Sequence, residues 1–173
     1  MKYFAIITTF FIIGCATIPQ YPRITVSYDK FENKAIIKTF PPILVHSEHS
    51  NLINLRTWAS YVCEGDTSCK TENIFLNFAS ESYKGWQYLT LHDLIFLVDN
   101  ERINFGETTH FGDSEINAGG VLTIEMMSAI VPKEQFRKIA NAQVVEGKLG
   151  TTVFNIERKD RELFRMLLAR ADK

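Results

Sequence analysis

Residues Val121–Ala140, VLTIEMMSAIVPKEQFRKIA, change from a strand pattern to a helix pattern within one short stretch. Its first half, Val121–Val131, is the longest apolar strand candidate in the chain. Pro132 then suits the first position of a helix, where a backbone N–H is not needed. Behind it, apolar side chains recur at helical spacing among charged ones, at Phe136, Ile139 and Ala140. A strand followed at once by an amphipathic helix indicates that sheet and helix share one core.

Shorter strand patterns lie on both sides of this stretch. Three pairs of them predict hairpins: Arg23–Tyr28 with Lys34–Phe40, Leu52–Val62 with Asn73–Phe78, and Val144–Leu149 with Thr152–Ile156. Further strand candidates are Trp86–Leu91, Asp93–Val98 and Arg102–Phe105, the last two separated by a turn at Asp99-Asn100. Four glycines, Gly106, Gly112, Gly119 and Gly120, indicate a loop region before Val121.

A second helix is expected at the end of the chain, over roughly Lys159–Ala169. We expect it to bury Leu163, Phe164, Leu167 and Leu168 and to leave Arg161, Glu162 and Arg165 in solvent. Strands followed by helices predict an α+β fold, mainly antiparallel β-sheet with two helices near the C-terminus packed on one face. We assign residues 23–173 to this single domain.

Composition narrows the class of protein. The 173 residues are 46% hydrophobic and 23% charged, which is typical of a globular chain. The formal net charge is −1, so there is no basic excess to bind phosphates. Nucleic acid is therefore not expected as a partner.

The N-terminus, MKYFAIITTFFIIGCATIPQ, has the features of a secretory signal peptide. Lys2 is followed by the apolar run Tyr3–Ile13, which is too short to cross a bilayer core of about 30 Å. The closing tetrapeptide Ile12-Ile13-Gly14-Cys15 resembles the lipobox of bacterial lipoproteins, which are cut before the cysteine by signal peptidase II.

That resemblance implies a lipid anchor. Residues 1–14 would be the signal peptide, Cys15 would carry the acyl chains, and residues 15–22 would form a short tether. Ala16 follows the cysteine where an Asp would imply retention in the inner membrane, so the outer membrane, facing the periplasm, is favoured if the source has two membranes. The chain has no polybasic cluster for anionic lipid, so attachment to the membrane depends on Cys15.

Cys63 and Cys69 remain as an even pair around a polar, turn-rich segment. In an exported protein such a pair favours a disulfide over free thiols. The alternatives are unpaired thiols and a redox or metal pair, but the latter lacks the two-residue spacing of such motifs.

The four histidines are the candidates for chemistry. His46 and His49 flank Glu48 in LVHSEHSN, a stretch we interpret as a solvated loop, and we predict no metal site there. His92 beside Asp93 and His110 near Asp113 would form a proton-transfer pair if the fold joined them. A nucleophile in a G-x-S-x-G turn is missing, and the glycines fit no nucleotide-binding motif.

Aromatic side chains offer a further candidate. Trp58, Trp86, Tyr83 and Tyr88 would either pack in the core or form a binding surface for glycan or peptide. The hypothesis favoured by the sequence is a lipid-anchored, non-catalytic binding or structural module. Its partner would be an envelope protein or glycan, and it would need no cofactor. The alternative is an envelope hydrolase that uses His92 and His110 with acidic neighbours, with or without a metal.

Overall fold

The computed structural model describes residues 21–48 and 53–173, which form two antiparallel sheets and two helices. The predicted signal peptide, Cys15 and His49 lie outside the described residues. In chain order the strands are β1 (Arg23–Asp29), β2 (Lys34–Phe40), β3 (Ile43–Glu48), β4 (Ile53–Glu64), β5 (Asn73–Ser82), β6 (Asp93–Val98), β7 (Glu101–Glu107), β8 (Thr109–Asn117), β9 (Gly120–Pro132), β10 (Val145–Leu149) and β11 (Thr152–Asn155). The helices are α1 (Lys133–Asn141) and α2 (Glu162–Ala171).

The larger sheet has seven strands in the order β1-β2-β4-β5-β9-β8, with β3 paired to β4 beside β2. Alternate residues of its central strands are buried, as expected for a sheet with one face against a core. Both helices pack on that face: α1 contacts β5 and β9, and α2 contacts β1, β2 and β4. Their closest aromatic contact joins Phe136 and Phe164, whose ring centroids are 5.0 Å apart. The predicted α+β class is confirmed.

The smaller sheet has the order β11-β10-β6-β7 and lies against the same core. Phe154 links the two sheets, since its ring centroid is 5.6 Å from that of Phe78 and 5.9 Å from that of Phe96. Gly147 on the neighbouring strand leaves the space for the Phe154 ring, because any β-carbon there would collide with it.

All three predicted hairpins are present, as β1–β2, β4–β5 and β10–β11. The prediction of a loop around the glycines was wrong: Thr109–Asn117 is strand β8, paired along its length with β9. Trp86–Leu91, predicted as a strand, is irregular. Pro132 is the N-cap residue of α1 and not its first helical residue.

The prediction that Arg161 lies in solvent was also wrong. The last helix begins at Glu162, three residues after the predicted start at roughly Lys159, and its N-cap residue Arg161 is only 1% exposed. Its guanidinium donates to the carbonyl oxygens of Ile156, Ala142 and Gln143. The arginine therefore joins the start of α2 to the residues that follow α1.

Cys63 and Cys69 are at disulfide-bonding distance, with a Cα–Cα separation of 5.6 Å. Cys63 lies in β4 and is buried, whereas Cys69 lies in the connection to β5. We expect mass spectrometry of alkylated, unreduced protein to find neither thiol modified. Reduction should lower the free energy of unfolding by about 2 kcal/mol, because the unfolded chain then regains the entropy that closing this small loop removes. Two alkylated thiols in the unreduced protein would contradict the bond.

Candidate functional site

The fold brings His92 and His110 together. His92 directly precedes β6, and His110 lies near the start of β8. Their rings stack with centroids 5.4 Å apart and an interplanar angle of 25°. These two residues form the histidine cluster together with the side chains that contact their rings, namely Glu125, Glu107 and Thr108.

The carboxylate partner of the histidine cluster is Glu125, in the middle of β9. The Nε2 atom of His110 lies 3.1 Å from a Glu125 oxygen, and the glutamate side chain is fully buried. Two backbone groups donate to the same carboxylate, the N–H of Gln87 at 2.6 Å and the N–H of Tyr88 at 2.8 Å. The oxygens of an ionised carboxylate can only accept, so with Glu125 in that form this contact requires the tautomer of His110 that carries hydrogen on Nε2.

The contacts of the Thr108 hydroxyl indicate which His92 ring nitrogen carries a hydrogen. The hydroxyl of Thr108 donates to the backbone oxygen of His92 at 3.0 Å, so the same hydroxyl can only accept from the ring. The ring nitrogen Nδ1, 3.2 Å from that hydroxyl, therefore carries a hydrogen. The remaining nitrogen, Nε2, lies 3.6 Å from the exposed carboxylate of Glu107.

The acidic neighbours differ from those suggested by the sequence. Asp93 begins β6, where its backbone oxygen accepts from the N–H of Gly150. Asp113 lies three residues after His110 on β8, and successive strand residues alternate between faces, so its side chain is on the opposite face of the sheet. The carboxylates that contact the rings are those of Glu125 and Glu107.

Trp86 covers the histidine cluster from the connection between β5 and β6. Its ring centroid lies 6.3 Å from that of His110. A β-carbon on Gly112 would come within 2.6 Å of the Trp86 ring, so the glycine is what allows the tryptophan to lie on β8. The interpretation of this glycine as a turn marker is corrected: it is a site of close approach within a strand.

The four aromatic residues do not form one surface. Tyr88 is buried, and its hydroxyl lies 2.9 Å from Thr152 Oγ1; desolvation raises the pKa of this tyrosine. Trp58 lies on the sheet face opposite the core, between inward-facing Thr57 and Ala59. Tyr83 and Trp86 remain partly exposed beside β8, where the Tyr83 hydroxyl accepts from Asn117.

His46 lies in strand β3, so the prediction of a loop at this residue was wrong. Its Nε2 is 3.3 Å from Glu48, two residues away on the same side of the strand. Among residues 21–48 and 53–173, no group of three or more His, Cys, Asp or Glu side chains is placed to hold a metal ion.

The chemistry of the histidine cluster follows from its partners. Both Glu125 oxygens accept from backbone N–H groups, those of Gln87 and Tyr88, and so hold the irregular connection between β5 and β6 against the sheet. His92 Nε2 is the ring nitrogen that faces an exposed group, the Glu107 carboxylate.

No helix in the described part of the chain has the length and apolar character needed to cross a membrane. Comparisons with protein-family models, with curated proteins and with solved structures found no match.

Proposed function

We propose that this chain is a lipid-anchored bacterial envelope lipoprotein whose domain is a non-catalytic binding or structural module. The observation that carries the proposal is the Cys63–Cys69 disulfide pair. Disulfides persist in oxidising compartments outside the cytosol, and the lipobox resemblance at Ile12–Cys15 implies that same destination. Two independent features of the chain thus favour export.

The hydrogen bonds of the histidine cluster support a structural role for it. Glu125 accepts from Gln87, Tyr88 and His110, and the Thr108 hydroxyl donates to a backbone oxygen. A catalytic acid or base must reach the proton that it transfers. A carboxylate that is fully buried and already holds three donors instead stabilises the local fold.

The membrane is the first partner of such a protein. Two or more acyl chains on Cys15 give stable anchoring, whereas one chain gives marginal binding. The seven residues Ala16–Pro22 reach about 25 Å at full extension, so the domain would stay near the bilayer surface. An outer-membrane protein or an envelope glycan is the partner that we propose for this location.

Fatty-acid labelling tests the anchor. We expect cells that express the full chain to incorporate an alkyne-tagged fatty acid into it, and the Cys15→Ala variant to incorporate none. A Cys63→Ser, Cys69→Ser variant is the matched control, because it also removes thiols but leaves the anchor site. Equal labelling of the Cys15→Ala variant and the unchanged chain would refute the lipoprotein proposal.

One observation favours the alternative, an envelope hydrolase. His92 and His110 do stack at 5.4 Å, and a buried carboxylate contacts one of them. Under that hypothesis His92 Nε2, which faces Glu107, would transfer the proton. The two hypotheses differ in how much the histidine cluster contributes to the stability of the fold.

A further inference from the structure

Strand β1 lies at the edge of the seven-stranded sheet. Among the described residues its backbone pairs only with β2, in a register that runs from Arg23 opposite Phe40 to Asp29 opposite Lys34. Within the part of the chain that the structure describes, the other side of this seven-residue strand therefore presents backbone N–H and C=O groups without a partner strand. Such an edge is a template for pairing with a further strand.

The sequence of β1 does not protect this edge. Its five central residues, Ile24–Tyr28, carry no charge and no proline. By contrast, β8 at the opposite edge of the sheet has Asp113 and Glu115 in its second half. Charged side chains within an edge strand are a common device against pairing, and β1 lacks it.

The ends of β1 carry opposite charges, in the sequence RITVSYD. If a second copy of the strand is laid antiparallel with Val26 at the centre, Arg23 of each copy lies opposite Asp29 of the other. Asp29 uses Oδ1 for both of its bonds to the turn, to the N–H groups of Phe31 and Glu32, so a guanidinium can approach through Oδ2. The strand is complementary to itself in this one register.

The apolar side chains of β1 are half covered. Val26 and Tyr28 are opposite Ile37 and Ala35 on the core face, yet they are 39% and 47% exposed. Helix α2 contacts β1 and β2 but leaves this margin open. In the self-complementary register Val26 meets its own copy and Ile24 meets Tyr28, which are the pairs of β-branched and aromatic residues that stabilise sheets.

We propose that β1 pairs antiparallel with β1 of a second copy of this chain, joining two seven-stranded sheets into one. The partner at this edge is thus the protein itself, through an isologous twofold interface. A shift of one residue would exchange the two faces of the strand, and a shift of two would separate both ion pairs. Pro22 limits extension of the pairing, because it has no N–H to donate.

The interface also agrees with anchoring, a step that rests on the proposed function while the pairing does not. The two Arg23 residues would lie about 20 Å apart, six strand steps, on either side of the twofold axis. Tethers of about 25 Å then allow both Cys15 anchors to enter one membrane. Confinement to that surface raises the effective concentration of the two edges.

Cysteine crosslinking of the full chain in intact cells tests the pairing. We expect the Val26→Cys variant, treated with a short bifunctional thiol reagent, to run as a dimer on a non-reducing gel. Chains with Thr25→Cys, co-expressed with chains with Ser27→Cys, should crosslink to each other through the opposite face. Ile116→Cys is the control, since that side chain is 88% exposed in β8 at the other edge of the sheet, and this variant should stay monomeric.

Charge reversal at the strand end tests the register. Adding Arg23→Glu to Val26→Cys should lower the crosslinked fraction roughly tenfold, since both exposed Arg23–Asp29 ion pairs become repulsive contacts between two carboxylates. Arg23→Lys should leave it unchanged. The proposal is overturned if neither thiol pair gives a dimer, if Ile116→Cys crosslinks as well, or if the adducts contain another protein. None of these outcomes depends on lipid labelling, so failure here and failure of the lipoprotein proposal are distinguishable.

Discussion

Replacement of Arg161 by methionine should lower the free energy of unfolding by about 3 kcal/mol, which is large for a single residue. The guanidinium donates to the carbonyl oxygens of Ala142 at 2.6 Å and Gln143 at 3.2 Å, and also to that of Ile156. Methionine has similar length but no donor, so these buried oxygens would lose their partner. Burial lowers the pKa of Arg161, yet an arginine remains charged in proteins.

The surroundings of the Arg161 guanidinium explain why a cation is buried at the end of α1. Ala142 caps the C-terminus of α1, where the helix dipole places partial negative charge. The Asp99 carboxylate contacts the same turn from the other side, where it accepts hydrogen bonds from the N–H groups of Gln143 and Val144. Arg161 and Asp99 together fix the path from α1 into β10.

Urea unfolding of the Arg161→Met chain, followed by far-UV circular dichroism, measures this effect. Arg158→Met is the matched control, because Arg158 is exposed and its bond to the Gln143 side chain is 3.5 Å long. We expect that control to change the free energy of unfolding by less than about 0.5 kcal/mol. Equal stability of the two variants would show that Arg161 contributes no more than a surface residue.

The sequence predicted the helices and most strands because periodicity reports which side chains face a core. Phe136 and Ile139 in α1, and Leu163 and Leu167 in α2, are buried as their spacing indicates. Arg161 was misassigned because the predicted helix began at roughly Lys159, three residues before the observed start at Glu162, so the arginine was treated as a helical residue on the polar face when it is the N-cap residue. At a helix start, one position changes the direction of a side chain.

Strand β8 was missed for a different reason. Its sequence, THFGDSEIN, is polar and contains a glycine, features typical of loops. The strand forms because β9 offers a long partner, and Gly112 is required because Trp86 lies against it. The contact joins residues far apart in sequence, so no local pattern reports it.

Sequence reasoning also overlooked Glu125 of the histidine cluster, although a signal was present. In VLTIEMMSAIV it is the one charged residue, and it has the same parity as Met127 and Ala129, which face the core. A lone carboxylate on the inward side of an apolar strand requires buried donors. Which donors they are depends on the tertiary fold, since Gln87 and Tyr88 lie 38 and 37 residues away.

Replacement of Glu125 by leucine should have the largest effect, a loss of about 4 kcal/mol in the free energy of unfolding. The substitution removes the acceptor of two backbone N–H groups, those of Gln87 and Tyr88, and each buried donor left unpaired costs about 1–3 kcal/mol. His110 loses its partner as well. Glu115→Leu, on the exposed side of the same hairpin, is the control and should leave stability nearly unchanged.

Comparison with His92→Asn separates the two hypotheses for the histidine cluster. If the cluster stabilises the segment over the sheet, Glu125→Leu should both lower stability and make the chain cleavable by protease near Trp86. His92→Asn, which loses a bond to Thr108, should then cause a smaller change in the same direction. A catalytic role predicts instead that His92→Asn abolishes hydrolysis and leaves stability nearly unchanged, since the ring that transfers the proton would contribute little to folding. The three donors on a carboxylate with no exposed surface favour the first result, because each of them would have to be buried without a partner once the glutamate is gone.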